Sequence, residues 1–195
     1  MTCIAGLKHG GKLYMGADSL VSNAVACSIQ EWPKVFRNGP LLIGGASSNR
    51  MLQILQYCLE VPEVDWENLD RYMADDLSRA VREVLRDNGW IYTDCGRESG
   101  GVFLVGIGGR LFEAQDEFSF LEPSHGYAAI GTGGQVAMGA LFATADCDLD
   151  PIARVRAALL AAQEFTPSVR EPFVIEIQEA PTLTAQVKLV AKTGE

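Results

Sequence analysis

Residues 2–18 read TCIAGLKHGGKLYMGAD, and this stretch decides the fold of the chain. Two β-prone runs, 2–7 and 13–17, flank a turn-forming cluster at 9–12. Apolar runs joined by a short glycine-containing turn form hairpins, so an antiparallel pair of strands is predicted here. Because strands adjacent in sequence usually pair, we expect Asp18, just past the second strand, to meet the start of the first.

Strands and helices alternate in blocks along the rest of the chain. The further predicted strands span 24–30, 34–36, 41–45, 101–107, 111–114, 118–121, 127–130, 173–177 and 185–190. Helices are predicted after the cap Ser47 or Ser48, after the cap Asp65, over 135–145 and after Asp150-Pro151. Each helix pair needs an apolar sheet face to cover. The order therefore predicts an α+β fold: a four-layer αββα sandwich of two antiparallel sheets flanked by helix pairs, in a single domain over 1–195.

Composition and charge exclude several classes of protein. The 195 residues are 48% hydrophobic and 21% charged, with a net charge of −9. No basic stripe is present to displace phosphate counterions, so no nucleic-acid partner is expected. The start lacks a basic and then apolar leader, and no apolar run is long enough to span a bilayer. We therefore expect a cytoplasmic protein with no membrane partner.

The cysteines and histidines predict neither disulfides nor a metal site. The five cysteines are odd in number and form no Cys-x-x-Cys pair, which favours reduced thiols. His9 and His125 are the two histidines and have no second histidine at ligand spacing. We expect no metal and no cofactor.

Thr2, directly after Met1, is the strongest candidate for a catalytic group. Threonine is small, so Met1 is expected to be trimmed, leaving a hydroxyl and a free α-amine on one residue. An α-amine has a pKa of about 8, so part of it is an unprotonated base at neutral pH. A nucleophile beside its own base is the N-terminal-threonine variant of the nucleophile–base pair.

Asp18 and Lys34 are the candidate supporting groups. A cation near the threonine hydroxyl would lower its pKa, and a carboxylate would hold that cation in place. A lysine held in this way stays charged, so its role would be electrostatic. The alternative is that Asp18 caps a turn and Lys34 is a solvated charge at a strand end.

Two clusters of small residues each join a strand to a helix. In the first, 44–48, the backbone N–H of Ser47 or Ser48 could face a developing oxyanion, or the cluster is only a tight turn. In the second, 131–134, Thr132 could hydrogen-bond the N-terminal amine, or merely cap the helix. Val21 and Trp32 could line a substrate pocket, although a buried core position is the alternative for the aromatic ring.

Together these residues resemble the β-type subunits of proteasomes, and in particular the compact bacterial and phage-encoded proteasome-like peptidases. The matching segments are Thr2-Cys3-Ile4-Ala5-Gly6, Gly16-Ala17-Asp18-Ser19, Pro33-Lys34-Val35-Phe36, Leu42-Ile43-Gly44-Gly45-Ala46 and Ala129-Ile130-Gly131-Thr132-Gly133-Gly134. The resemblance implies an N-terminal-nucleophile hydrolase that cleaves polypeptides through an acyl-enzyme ester. It also implies a homo-oligomeric ring and an ATP-dependent unfoldase as partner.

The resemblance assigns a role to each matching residue. Thr2 would be the nucleophile and its amine the base, supported by Asp18 and Lys34, with Thr132 near the amine. The N–H of Ser47 or Ser48 would serve the oxyanion, where the family has glycine.

The chain departs from the family after its last helix, where an aspartate is missing and Ser168 is the expected substitute. Two other functions remain open: a non-catalytic ring, shell or scaffold subunit, possibly phage-related, and an amidohydrolase of small amides.

Overall fold

The predicted N-terminal hairpin is confirmed in a computed structural model, which describes residues 2–23 and 25–180. Strands β1 (Ile4–His9) and β2 (Lys12–Ala17) pair antiparallel, with Ile4 opposite Ala17. Gly10 and Gly11 form the turn with φ of +58° and +74°. A turn with two positive φ angles matches the twist of the strands that it joins and favours glycine at both positions.

Two antiparallel sheets form the middle of the molecule. The remaining strands are β3 (Leu20–Ser22), β4 (Cys27–Ile29), β5 (Val35–Asn38), β6 (Leu41–Gly45), β7 (Tyr92–Asp94), β8 (Arg97–Ser99), β9 (Phe103–Ile107), β10 (Arg110–Ala114), β11 (Phe120–Leu121), β12 (Tyr127–Ile130) and β13 (Val174–Glu179). One sheet has the order β12-β1-β2-β13, and the other has the order β11-β10-β9-β6-β5. Strands β3 and β4 form a separate hairpin, as do β7 and β8.

Helices cover the outer face of each sheet. The helical segments are α1 (Asn49–Tyr57), α2 (Leu69–Arg71), a π-helical segment (Tyr72–Leu77), α3 (Ser78–Asp87), α4 (Gly134–Ala143) and α5 (Pro151–Phe165). The segments from α1 to α3 pack on the five-stranded sheet, and α4 and α5 pack on the four-stranded sheet. No helix within 2–23 and 25–180 combines the length and the apolarity needed to cross a membrane.

In the described part of the chain, three hydrophobic clusters hold the layers together. One fills the space between the five-stranded sheet and its helices, and another fills the space between the four-stranded sheet and α4 and α5. The third lies between the two sheets and includes Ile4, Leu42 and Leu104, all fully buried. Burial of this kind contributes roughly 1.5–3 kcal/mol for each large apolar side chain. The predicted four-layer αββα sandwich is confirmed.

Several element boundaries differ from the sequence-based expectation. Asp65 does not cap the long helical segment; its carboxylate accepts from the N–H groups of Glu67 and Asn68, and Asn68 caps the segment instead. Ser48 is the cap of α1, and Asp150 caps α5, as predicted. The predicted strand at 185–190 lies outside the described residues.

The hairpin of β7 and β8 was not predicted. Its strands are short, polar and largely exposed, so no alternation of apolar residues marks them. Strand β9 begins at Phe103 instead of 101, because Gly101 has a φ of +105° and bends the chain before the strand.

Candidate active site

Pairing between β1 and β2 places Asp18 against the beginning of the chain. The N–H of Asp18 donates to the carbonyl of Cys3 at 3.3 Å, and Asp18 Oδ1 accepts from the N–H of Cys3 at 3.0 Å. Its other oxygen accepts from the N–H of Leu20 at 3.0 Å. The carboxylate is buried, and every one of these donors is fixed by the backbone. Asp18 is therefore a rigid anchor next to Thr2.

Lys34 connects that anchor to the threonine hydroxyl. Its ammonium lies 2.5 Å from Thr2 Oγ1, 3.0 Å from Asp18 Oδ1 and 2.6 Å from the carbonyl oxygen of Leu20. An ammonium has three N–H donors, so these three acceptors satisfy it fully. The alternative of a solvated charge at a strand end is therefore wrong, because the Lys34 side chain is only 4% exposed.

Burial and the carboxylate act on the Lys34 ammonium in opposite directions. Loss of water lowers the pKa of Lys34 below its ordinary value of 10.5, and this effect is larger than the opposing attraction to Asp18. When it is protonated, Lys34 supplies positive charge next to Thr2 Oγ1. Such a charge stabilises negative charge that develops on the hydroxyl oxygen.

A pair of hydroxyls lies at the backbone nitrogen of Thr2. That nitrogen is 3.2 Å from Thr132 Oγ1, and Thr132 Oγ1 is 2.6 Å from Ser168 Oγ. The carbonyl of Thr2 accepts from the N–H of Gly133 at 3.2 Å. Thr132 follows β12 and Ser168 follows α5, so the fold brings together three residues that are distant in sequence. No carboxylate of the described residues takes part in these contacts.

Gly131 allows this close approach. Its φ is +91°, and a Cβ at this position would lie 2.3 Å from the carbonyl oxygen of Thr2. Only glycine therefore fits beside the beginning of the chain.

The cluster after β6 borders a cavity beside Thr2. The cavity has a volume of about 150 Å³, and its lining includes Thr2, Val21, Ser47 and Ser48. Ser48 Oγ accepts from the N–H of Arg50 at 3.1 Å as the cap of α1. Within the described part of the chain, neither Ser47 nor Ser48 donates its backbone N–H to a hydrogen bond. Both remain available to a ligand in the cavity.

The turn at Ser47 is held from the neighbouring strand. Ser47 Oγ accepts from the N–H of Val102 at 2.8 Å, just before β9. Gly101 N–H donates to Asp116 Oδ1 at 2.9 Å, and Asp116 also accepts from the Ser99 hydroxyl. The segment 99–102 is thus hydrogen-bonded to Asp116, and its Val102 stabilises the turn at Ser47.

Trp32 and Cys3 lie near the site but do not take part in it. Trp32 is not among the residues that line this cavity; its Nε1 donates to Gln56 Oε1 at 3.1 Å and its ring packs against Phe36. Cys3 is fully buried, and burial raises the pKa of its thiol to about 12. A thiol with that pKa is not ionised at neutral pH, so Cys3 does not compete as a nucleophile.

Backbone groups complete the site, and sequence reasoning missed most of them. The carbonyl of Leu20 and the N–H groups of Cys3 and Gly133 hold Lys34, Asp18 and Thr2 in place. The one signal in the sequence is the glycine cluster at 131–134. Within residues 2–23 and 25–180, no group of three or more acidic, histidine or cysteine residues is arranged to hold a metal ion.

Comparison with known proteins agrees with this geometry. The chain is 26% identical over 182 residues to the ATP-dependent protease subunit HslV of Bartonella quintana, covering 92% of this chain and 90% of that protein. The chain is a homologue of the proteasome-type HslV subunits. No model of a protein family matches this chain.

Solved structures show the same fold. The chain superposes on BPH of Thiobacillus denitrificans, solved with epoxomicin, with a TM-score of 0.77 and 19% identity over 92% of this chain and 100% of that one. It superposes on HslV of Trypanosoma brucei with a TM-score of 0.65 and 21% identity, covering 91% of this chain and 99% of that one. The fold is therefore that of the proteasome-like N-terminal-nucleophile hydrolases.

Proposed function

We propose that this chain is a threonine peptidase of the proteasome type, which hydrolyses peptide bonds with Thr2 after Met1 has been removed. The observation that carries the proposal is the contact of Lys34 Nζ with both Thr2 Oγ1 and Asp18 Oδ1. Burying a lysine and a carboxylate next to a threonine hydroxyl costs desolvation free energy. The chemical use of the lysine is to stabilise the hydroxyl oxygen as it becomes a nucleophile.

Removal of Met1 turns the backbone nitrogen of Thr2 into an α-amine. In the first step, this amine takes the proton from the Thr2 hydroxyl while the oxygen attacks the carbonyl carbon of the scissile peptide bond. The Lys34 ammonium stabilises the charge on the attacking oxygen. The Thr132 hydroxyl, held by Ser168, orients the amine.

The tetrahedral intermediate carries its negative charge on the former carbonyl oxygen. The free N–H groups of Ser47 and Ser48 border the cavity and are the proposed donors to this oxyanion. When the intermediate collapses, the carbon–nitrogen bond breaks and the leaving nitrogen takes the proton from the Thr2 ammonium. An ester between the acyl group and Thr2 remains.

Water completes the cycle. The free amine removes a proton from water, and the resulting hydroxide attacks the ester carbonyl. Collapse of the second intermediate returns the proton to Thr2 Oγ1 and releases the carboxylic acid. The same base thus acts in both halves of the reaction.

The assembly is part of the proposal. The HslV relative is named as a subunit of an ATP-dependent protease. By this likeness, we propose that copies of the single domain 1–195 form a homo-oligomeric ring, which receives unfolded polypeptide from an ATP-driven partner in the cytoplasm. Enclosure would limit cleavage to chains that are threaded into the ring.

The proposal is tested with a fluorogenic peptide and the purified, processed protein. Wild type should release the fluorophore, and Thr2→Ala should not, while both give the same assembly by size-exclusion chromatography and light scattering. Equal hydrolysis by Thr2→Ala would reject Thr2 as the nucleophile.

Labelling separates the peptidase from a non-catalytic shell. Epoxomicin, present in the BPH structure, is a suitable probe. Intact-mass spectrometry should show loss of Met1 and one adduct per chain, which peptide mapping places on Thr2. Complete retention of Met1 in protein from its native cell would favour the shell.

A further inference from the structure

A second depression lies on the amine side of Thr2. It has a volume of about 480 Å³, and its lining includes Ala46, Ser47, Glu113, Thr132 and Gln135. Ala46 and Ser47 also line the cavity beside Thr2, so the two spaces meet at this turn. Thr132 places the depression next to the Thr2 nitrogen, because its hydroxyl lies 3.2 Å from that atom.

The direction of proton transfer assigns this depression to the leaving segment of the substrate. The proton taken by the Thr2 amine is later given to the leaving nitrogen, so that nitrogen must lie on the amine side of Thr2. The acyl segment is then assigned to the cavity lined by Val21, on the other side of Thr2. The chain that follows the scissile bond therefore extends past Thr132 into the depression.

Glu113 gives the depression a specific chemistry. Among the described residues that line the depression, it is the only charged one. Strand β10 alternates, so Glu113 shares the face of Leu111, which is buried between the two sheets. A carboxylate on a face that is otherwise apolar is unusual unless it has a partner.

The partner of Glu113 within the described residues is neutral. Gln115 Nε2 donates to Glu113 Oε1 at 2.9 Å, while no Lys, Arg or His of the described residues forms an ion pair with Glu113. Oε2 accepts no hydrogen bond from those residues either. The side chain is half-buried, so one carboxylate oxygen remains accessible from the depression.

The beginning of α4 supplies a donor to the same space. The N–H of Gln135 lies in the first turn of the helix, where no intrahelical acceptor exists. This N–H can donate to a carbonyl oxygen of a bound substrate backbone. The depression thus offers one backbone donor and one carboxylate that has no ion-pair partner among the described residues.

We propose that this depression binds the substrate residues that follow the scissile bond and that Glu113 selects a basic side chain among them. The inference rests on the proposed peptidase function and adds a specificity-determining residue to it. The ligand class is a polypeptide with Lys or Arg within a few residues after the cleaved bond.

Two kinds of substrate test this proposal. The first is a set of internally quenched peptides that carry Lys, norleucine or Glu at each of the three positions after the scissile bond. The second is a peptide–aminocoumarin, which has no amino-acid residue after that bond and therefore offers Glu113 no basic side chain. The variants are Glu113→Gln and the matched control Glu164→Gln, which removes the same charge from an exposed position of α5.

Wild type should prefer Lys over Glu at one position by about fivefold in kcat/KM, the size of a coupling of about 1 kcal/mol. Glu113→Gln should bring the ratio close to one, whereas Glu164→Gln should keep it. Raised ionic strength should reduce the preference, since salt screens the pair. Both variants should still hydrolyse the aminocoumarin substrate, which would show that Thr2, Asp18 and Lys34 still function.

Two results would overturn the proposal alone: equal kcat/KM for Lys and Glu peptides in wild type, or a preference that Glu113→Gln retains. Both leave aminocoumarin hydrolysis intact, so the peptidase function would stand. If wild type hydrolyses neither substrate, the proposed function and this inference are rejected together.

Discussion

Lys34 Nζ lies 2.5 Å from Thr2 Oγ1, although 31 residues separate the two along the chain. Thr2 precedes β1 of the four-stranded sheet, and Lys34 immediately precedes β5 of the five-stranded sheet. Because both side chains are buried, the contact depends on the packing of one sheet against the other. Its consequences for catalysis and stability are measurable.

Replacement of Lys34 by alanine should lower kcat for a fluorogenic peptide by roughly 10²-fold or more, since the charge next to the attacking oxygen is lost. Steady-state kinetics measures the effect. Lys12→Ala is the matched control, because Lys12 forms an exposed ion pair with Glu179. That variant should change kcat by less than about twofold, as exposed pairs contribute little. A change of only a few-fold in Lys34→Ala would remove Lys34 from the mechanism.

The pH dependence of kcat should have an alkaline limb below pH 10.5. The pKa of Lys34 is lowered from that value by burial, and the role of Lys34 requires its charged form. The acid limb should report protonation of the Thr2 α-amine, whose ordinary pKa is about 8. The profile is measured only where the circular dichroism of the protein is unchanged. A rate that is still constant at pH 10.5 would contradict the electrostatic role.

The same shift predicts how stability depends on pH. Between the lowered pKa of Lys34 and 10.5, the unfolded chain holds a proton that the folded chain has lost. The free energy of unfolding contributed by this group therefore rises with pH through that window. Comparison of urea denaturation of wild type and Lys34→Met isolates the contribution, since methionine does not titrate. An identical pH dependence for both proteins would contradict the prediction.

Removal of the Ser168 hydroxyl should reduce kcat without raising KM. Ser168 holds Thr132, which contacts the Thr2 nitrogen, so its loss should disorder the base. The expected decrease is about fivefold to tenfold in Ser168→Ala, the size of one hydrogen bond of about 1 kcal/mol. Thr144→Val provides a control, because Thr144 caps α4 away from Thr2. If Ser168→Ala changes KM alone, the hydroxyl pair does not orient the amine.

Gly131→Ala should abolish activity and destabilise the fold. The new Cβ would lie 2.3 Å from the carbonyl oxygen of Thr2, and the φ of +91° disfavours any residue with a side chain. Gly139→Ala is the control, since Gly139 lies in α4 and its Cβ would meet nothing within 4 Å. Alanine there should stabilise the protein by about 0.5–1 kcal/mol through helix propensity. Thermal denaturation compares the two, and a stable, active Gly131→Ala would refute the close approach.

Local signals in the sequence predicted much of the fold. The glycine turn at 10–11 marked the first hairpin, and Ser48 and Asp150 marked the beginnings of α1 and α5. Asp65 was a misleading signal, because an aspartate can close a turn as readily as cap a helix, and Asn68 lay three residues further on. The hairpin of β7 and β8 is largely exposed, so its sequence contains no apolar pattern from which it could be predicted.

The sequence by itself determined which residue types were available: a threonine after Met1, an aspartate past the second strand, a lysine before β5 and a glycine cluster after β12. Only the tertiary structure decided that they meet. Sheet packing buried Lys34 between Thr2 and Asp18, whereas Trp32, two residues earlier, turned towards Gln56 and the helix side. Spacing along a chain fixes local geometry, but contacts across layers depend on how the apolar faces close on one another, and that is a property of the whole fold.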